Sequence, residues 1–206
     1  MANIRYNRKV SLKTLSLSLL IVVSLEFLSA CVPIIIGAAA VSAVDLALER
    51  RTAGRIIDDN FLELKLRNIY SADEQLGVAE NISVVSFNGI VLLTGEVHTD
   101  AQRQRAEALV AEQSVETRKV VNELDLSGKT NLASRANDSY ITGKVKAKLI
   151  RAEHIPSSNI KVITERGGVY LLGLVTRDEA EAAVEVTKSV RGVTRIIKVF
   201  EYIEPE

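Results

Sequence analysis

The chain contains one small unit written twice. Residues 82–97 (ISVVSFNGIVLLTGEV) align without gaps on residues 160–175 (IKVITERGGVYLLGLV), 78 positions later, with seven identities in sixteen. Ile82, Val84, Gly89, Val91, Leu93, Gly95 and Val97 match Ile160, Val162, Gly167, Val169, Leu171, Gly173 and Val175. These identities alternate along the chain as strand residues do. Asn88-Gly89 and Arg166-Gly167-Gly168 fall where a tight hairpin needs positive φ. A duplication of this kind limits the chain to two similar domains.

The segments around each hairpin complete the unit. Helices are expected over 100–111 and 178–190; Thr99 with Gln102, and Thr176 with Glu179, stand at capping-box spacing near their starts. A third strand follows each, over 119–126 and 194–202. Ahead of each hairpin another helix is expected, over 56–70 and 138–152. Leu62, Leu66 and Ile69 form an apolar stripe in the first, and Ile141, Val145 and Leu149 in the second. Each unit therefore reads helix, strand, strand, helix, strand. The expected fold is α+β: two tandem αββαβ domains, each a small three-stranded sheet packed on two helices.

Composition removes several function classes. The single cysteine, Cys31, can form neither an internal disulfide nor a thiolate metal site. His98 and His154 have no partner pattern such as HExxH and read as solvated turn residues. Gly167-Gly168 lacks the Lys-Ser/Thr helix of a phosphate loop. The scattered carboxylates read as solvated helix faces. Neither an enzyme nor a resident cofactor or metal is expected. With residues 1–30 set aside, 22 basic and 25 acidic residues leave a net −3, which argues against a polycation that binds nucleic acid.

The first thirty residues read as an export signal. Arg5, Arg8, Lys9 and Lys13 precede the apolar run Leu15–Leu25, too short to span a bilayer, which takes roughly 20 residues. Leu28-Ser29-Ala30-Cys31 then resembles the bacterial lipobox, which implies cleavage before Cys31 and acylation of its sulfur and new amine. Position 32 is Val rather than the Asp of inner-membrane retention. The anchor is thus expected in the outer membrane, on its periplasmic face. Several acyl chains at about 0.8 kcal/mol per buried CH₂ make such attachment effectively permanent. Residues 32–48 (VPIIIGAAAVSAVDLAL) are apolar almost to Val44. They fit equally a segment lying on the bilayer or a partner, and a helix docked on its own domain. The expected organisation is a signal peptide over 1–30, a lipidated linker over 31–51, and domains over 52–127 and 128–206.

Charge separates the two domains. Residues 52–127 hold 7 basic and 13 acidic side chains, net −6, while residues 128–206 hold 13 and 10, net +3. Part of the excess is Lys144, Lys146, Lys148 and Arg151 on one helix. Tyr140, Lys144, Lys148 and Arg151 stand at i, i+4, i+8 and i+11, on one side. A ring at one end and long cations along the face suit a layer of lipid headgroups. The same pattern also fits a solvated helix face. The first copy has no such stripe: Phe61 and Lys65 are followed by Asn68, with Asp58, Asp59 and Glu63 nearby.

The hairpin V-x-x-x-x-G-x-V-x-L-x-G-x-V, the capped helix after it and the strand Val120-Val121-Asn122-Glu123-Leu124 resemble the BON domain. The second copy lacks the Asn in that strand, having Ile197-Lys198-Val199. Two such domains behind a lipobox resemble the dual BON-domain outer-membrane lipoproteins of Gram-negative bacteria. The resemblance spans nearly the whole chain after Cys31, including the segments 51–67 and 137–149. It implies a non-enzymatic role in envelope integrity, near division sites and the outer-membrane protein assembly machinery. It further implies that the second domain binds anionic phospholipid through its first helix, with an aromatic where Tyr140 stands. The competing expectation is an adaptor whose acidic first domain binds an envelope partner. A cytolysin, a label some relatives carry, is disfavoured because no pore-forming amphipathic array is present.

Overall fold

A computed structural model describes residues 49–76, 81–113, 117–128, 130–153 and 155–205, all within one compact unit. The expected export signal, Cys31, the apolar stretch over 32–48 and His154 lie outside the described residues. The first domain runs α1 (Ala53–Ala72), β1 (Asn81–Phe87), β2 (Ile90–Val97), α2 (Asp100–Glu112), β3 (Lys119–Leu126). The second repeats the order as α3 (Leu132–Arg151), β4 (Ile160–Glu165), β5 (Gly168–Val175), α4 (Arg177–Lys188), β6 (Arg195–Tyr202), with one 3₁₀ turn (Ser157–Asn159) before β4. The αββαβ expectation therefore holds in both copies.

Each sheet is ordered β1-β2-β3 or β4-β5-β6; the hairpin pair is antiparallel and the outer pair parallel. Parallel neighbours need a crossover, which α2 and α4 supply. Both helices begin on the expected capping boxes, at Thr99 with Gln102 and Thr176 with Glu179. The repeat also fixes register: Ile82 faces Gly95, and Ile160 faces Gly173. A Cβ on Gly95 would lie 1.8 Å from the Asn81 carbonyl oxygen, and one on Gly173 2.5 Å from that of Asn159. That close approach is the physical reason both copies carry glycine there.

The first helices start earlier than expected, at Ala53 and Leu132. Thr52 and Asn131 cap them, accepting from the amides of Arg55 at 3.2 Å and Ser134 at 2.8 Å. The residues of the α3 start face solvent, Leu132 at 82% exposure, so no apolar periodicity announces it.

The reading of every carboxylate as solvated is corrected at Asp59, Glu96 and Asp138, which are buried. Asp59 accepts from the amides of Asn88 (2.7 Å) and Gly89 (2.9 Å) and from Ser86 Oγ (2.7 Å). Asp138 accepts from the amides of Arg166 (2.9 Å) and Gly167 (2.8 Å). Each aspartate thus ties its own helix to the tip of the hairpin. Asn88 and Arg166 sit there with φ of 51° and 50°, a conformation disfavoured for side-chain-bearing residues and held by these bonds. Arg51, 3.0 Å from Asp59, balances the first carboxylate.

Three cores result. One lies between the first sheet and α1/α2, and a second repeats it in the other domain. The third joins Val85, Phe87, Ile90 and Leu92 to Tyr170, Leu172 and Val199. Along β1, Val84 faces the helices and Val85 the other sheet, so the sheets pack on each other and the helices form the two outer layers. All eight residues of β2 are buried, as expected of a strand covered on both faces.

Polar ties ring this third core. Asn88, at the first hairpin tip, donates to Glu201 on β6 at 2.7 Å, and Arg118 pairs with the same carboxylate at 2.8 Å. In reciprocal fashion Arg166, at the second tip, pairs with Glu96 (3.2 Å) and Asp125 (3.1 Å) and donates to the Gly128 carbonyl. Lys161 meets Glu63 at 2.9 Å, and Arg50 meets Glu179 at 2.7 Å. Burial opposes the Glu96 charge, but hydrogen bonds from Thr130, Asn81 and Arg166 outweigh it and hold the carboxyl below the usual carboxylate range. A group whose pKa is lower when folded contributes fully above its unfolded value, about pH 4.3, and loses that contribution as pH falls through the folded value. Arg166→Ala leaves Glu96 buried without its cation and should cost on the order of 2 kcal/mol, read as a lower thermal unfolding midpoint at pH 7. Glu96→Gln should flatten the fall in stability on acidification below about pH 4.3.

Candidate functional site

Helix α3 forms part of the outer layer of the second domain. Its inner side places Ile141, Val145 and Leu149 in the core and Asp138 under the hairpin tip. At about 100° per residue, Gly143, Ala147 and Ile150 then point away from the sheet, with Tyr140 beside them. All four are exposed, Tyr140 at 60% and Ile150 at 71%. Lys144, Lys148 and Arg151 border this ridge on one side and Lys146 on the other, all exposed.

The structure therefore brings the expected residues together on an uncovered surface. The Lys144 ammonium lies over the Tyr140 ring, 4.4 Å from its centroid. Arg151 is in the last turn, where a cation also complements the helix dipole. Lys148 also reaches a neighbouring element: its Nζ donates to Ser189 O (3.2 Å) and Oγ (2.8 Å) at the end of α4. Among the described residues, none of these four cations forms an ion pair with a carboxylate. Ile150 was not singled out from sequence. Its signal is the i, i+4, i+7 series Gly143, Ala147, Ile150, which small residues make inconspicuous.

The equivalent helix α1 is built differently. Ile57, Phe61 and Leu64 are 53%, 66% and 54% exposed, and Phe61 stands 79 positions before Tyr140. Phe61, Leu64 and Lys65 line one wall of a groove of about 560 Å³ closed by Glu112 and Gln113. No cation ladder continues along that helix. His98 is exposed after β2, its backbone N–H donating to Gln102. Among the described residues, no helix is long and apolar enough to cross a membrane, and no group of three or more His, Cys, Asp or Glu side chains is placed to hold a metal.

Two domains of this topology, each with its aspartate-tied hairpin, define a class, and comparison identifies it: the BON domain profile matches residues 58–128 and 137–204. The chain belongs to the BON-domain family. It is 39% identical over 179 residues to the outer membrane lipoprotein DolP of Haemophilus influenzae, covering 86% of this chain and 91% of that protein. It is 36% identical over 157 residues to a 21 kDa hemolysin of Actinobacillus pleuropneumoniae, covering 76% and 80% respectively. Osmotically-inducible protein Y of Escherichia coli is 46% identical over 61 residues, 29% of this chain and 30% of that one.

Gly143 faces open space, with nothing within 4 Å of a Cβ built on it. Gly143→Ala should stabilise the protein by roughly 0.5–1 kcal/mol, measured by denaturant unfolding, because alanine loses less backbone entropy in a helix.

Proposed function

We propose that this protein is a non-enzymatic lipoprotein of the outer membrane, held by acyl groups on Cys31, whose second BON domain binds anionic phospholipid through the outer side of α3. In that location the protein supports envelope integrity. The organisation that goes with this reading is an export signal over 1–30, a lipidated linker over 31–51 and domains over 52–127 and 128–206.

One observation carries the lipid assignment. Tyr140 and Ile150 stand exposed on an outer layer, flanked by Lys144, Lys146, Lys148 and Arg151, to which no carboxylate is paired among the described residues. The ring and the aliphatic side chain can enter the interface while the cations meet phosphates. Each cation near an anionic surface contributes about 1 kcal/mol, so several give firm but salt-sensitive binding. The anchor reinforces it, because a tethered surface meets the bilayer at high effective concentration. Arg50, at the start of the described chain, is bonded to Glu179, Leu174 O and Asn159 of the second domain.

The test uses residues 49–206, which keep both domains and their shared core and lack the anchor. Binding to vesicles containing phosphatidylglycerol should exceed binding to phosphatidylcholine alone and weaken with salt. Lys144→Glu/Arg151→Glu should weaken it by roughly thirty-fold or more, as expected for two lost contacts of about 1 kcal/mol each. Unchanged binding would discard lipid recognition.

A second reading, an adaptor using the first domain, is favoured by the exposed Ile57, Phe61 and Leu64. These lie in the opposite outer layer, on a domain of net −6, and so face away from a bilayer engaged by α3. Phe61→Ser/Leu64→Ser should leave vesicle binding intact. Loss of resistance to detergent in cells carrying that variant, with vesicle binding preserved, would favour the adaptor over the lipid reader.

A further inference from the structure

The turn between α4 and β6 borders the α3 surface, and four contacts hold it there. Lys148 Nζ donates to the Ser189 carbonyl at 3.2 Å and its hydroxyl at 2.8 Å. The side chain of Val190 is buried in the core of the second domain. Gly192 has φ of +102°, a conformation that favours glycine, and a Cβ there would stand 3.1 Å from Ile141 Cδ1, so the turn lies close against α3. Thr194 N–H donates to the Gly167 carbonyl at 2.9 Å. Ser189 meets α3 at Lys148 and Gly192 meets it at Ile141, so residues 189–192 run along the helix on the side of Lys144 and Lys148.

Between these fixed points stands Arg191, exposed and making no hydrogen bond or ion pair among the described residues. It has no counterpart in the regular stripe, because it comes from another element. An arginine offers a planar fork that grips phosphate oxygens in pairs, where a lysine offers a point charge.

We propose that Arg191 is a second-element ligand for the phosphodiester headgroup of an anionic phospholipid, bracketing it together with Lys144, and that Lys148 is the positioning residue that holds the turn in place. This rests on the lipid reading of α3 and extends it from a helix face to a two-sided cradle. The surface then reads headgroup phosphate by geometry as well as by charge.

Residues 49–206 carrying Arg191→Ala, Arg191→Lys or Arg191→Glu are compared on phosphatidylglycerol vesicles, with Lys198→Glu as a control. Lys198 is exposed on β6, in the groove beside α4, and carries the same charge. Arg191→Ala should weaken binding about five-fold, Arg191→Glu further, and Arg191→Lys only partly, with the thermal unfolding midpoint unchanged in all three. Lys198→Glu should bind nearly as the parent does. If Arg191→Glu binds like the parent while Lys144→Glu/Arg151→Glu does not, the cradle is wrong and the helix reading stands. If Lys198→Glu weakens binding as much as Arg191→Glu, net charge explains the effect and the cradle is again wrong. If Arg191→Glu and Lys144→Glu/Arg151→Glu both bind like the parent, the lipid reading falls and takes the cradle with it.

Discussion

Burial of both faces of both sheets is the constraint on which the rest of this molecule depends. A unit of about 75 residues with a three-stranded sheet and two helices covers one face of that sheet and leaves the other bare. Here Val85, Phe87, Ile90 and Leu92 meet Tyr170, Leu172 and Val199, and each domain covers what the other would expose. The reciprocal polar contacts at the rim, Asn88 and Arg118 to Glu201 on one side and Arg166 to Glu96 and Asp125 on the other, fix the pairing much as a two-fold interface would. The duplication is therefore a means of completing a core as well as a doubling of surface.

That packing also dictates what each first helix can do. With the sheets inside, α1 and α3 are assigned to opposite outer layers, so a single flat partner cannot engage both. Divergence has followed the geometry. The helix of the second domain carries Tyr140, Ile150 and a border of cations, while that of the first carries Ile57, Phe61 and Leu64 on an acidic domain. A tethered protein with one face for a membrane and another for something else is a consistent reading of that division. Arg50, clipped to Glu179 and Asn159, ties the incoming chain to the second of these domains.

Much of the fold is legible in the residues because the repeat supplies two independent statements of one pattern. The hairpin register, the capping boxes at Thr99 and Thr176 and the core stripe Ile141, Val145, Leu149 all follow from spacing. Asp59 and Asp138 were not legible, since a carboxylate on a helix looks solvated until a hairpin tip some thirty residues away arrives to donate to it. The starts of α1 and α3 were missed for the opposite reason: their first turns bury no side chain fully, so periodicity is silent and a cap marks them.

At the site, sequence spacing alone placed Tyr140, Lys144, Lys148 and Arg151 on one side of a helix, because a helix maps positions to faces without help from its surroundings. Sequence alone likewise determined that there would be two αββαβ units, with the cationic excess on the second. Tertiary structure decided that the outer side of α3 stays exposed, that Lys148 reaches across to Ser189 and that the turn carrying Arg191 packs against α3 at Ile141. Those are contacts between segments far apart in the chain, and neither local propensity nor period encodes them. They exist only once the second domain has folded and brought the end of α4 against α3.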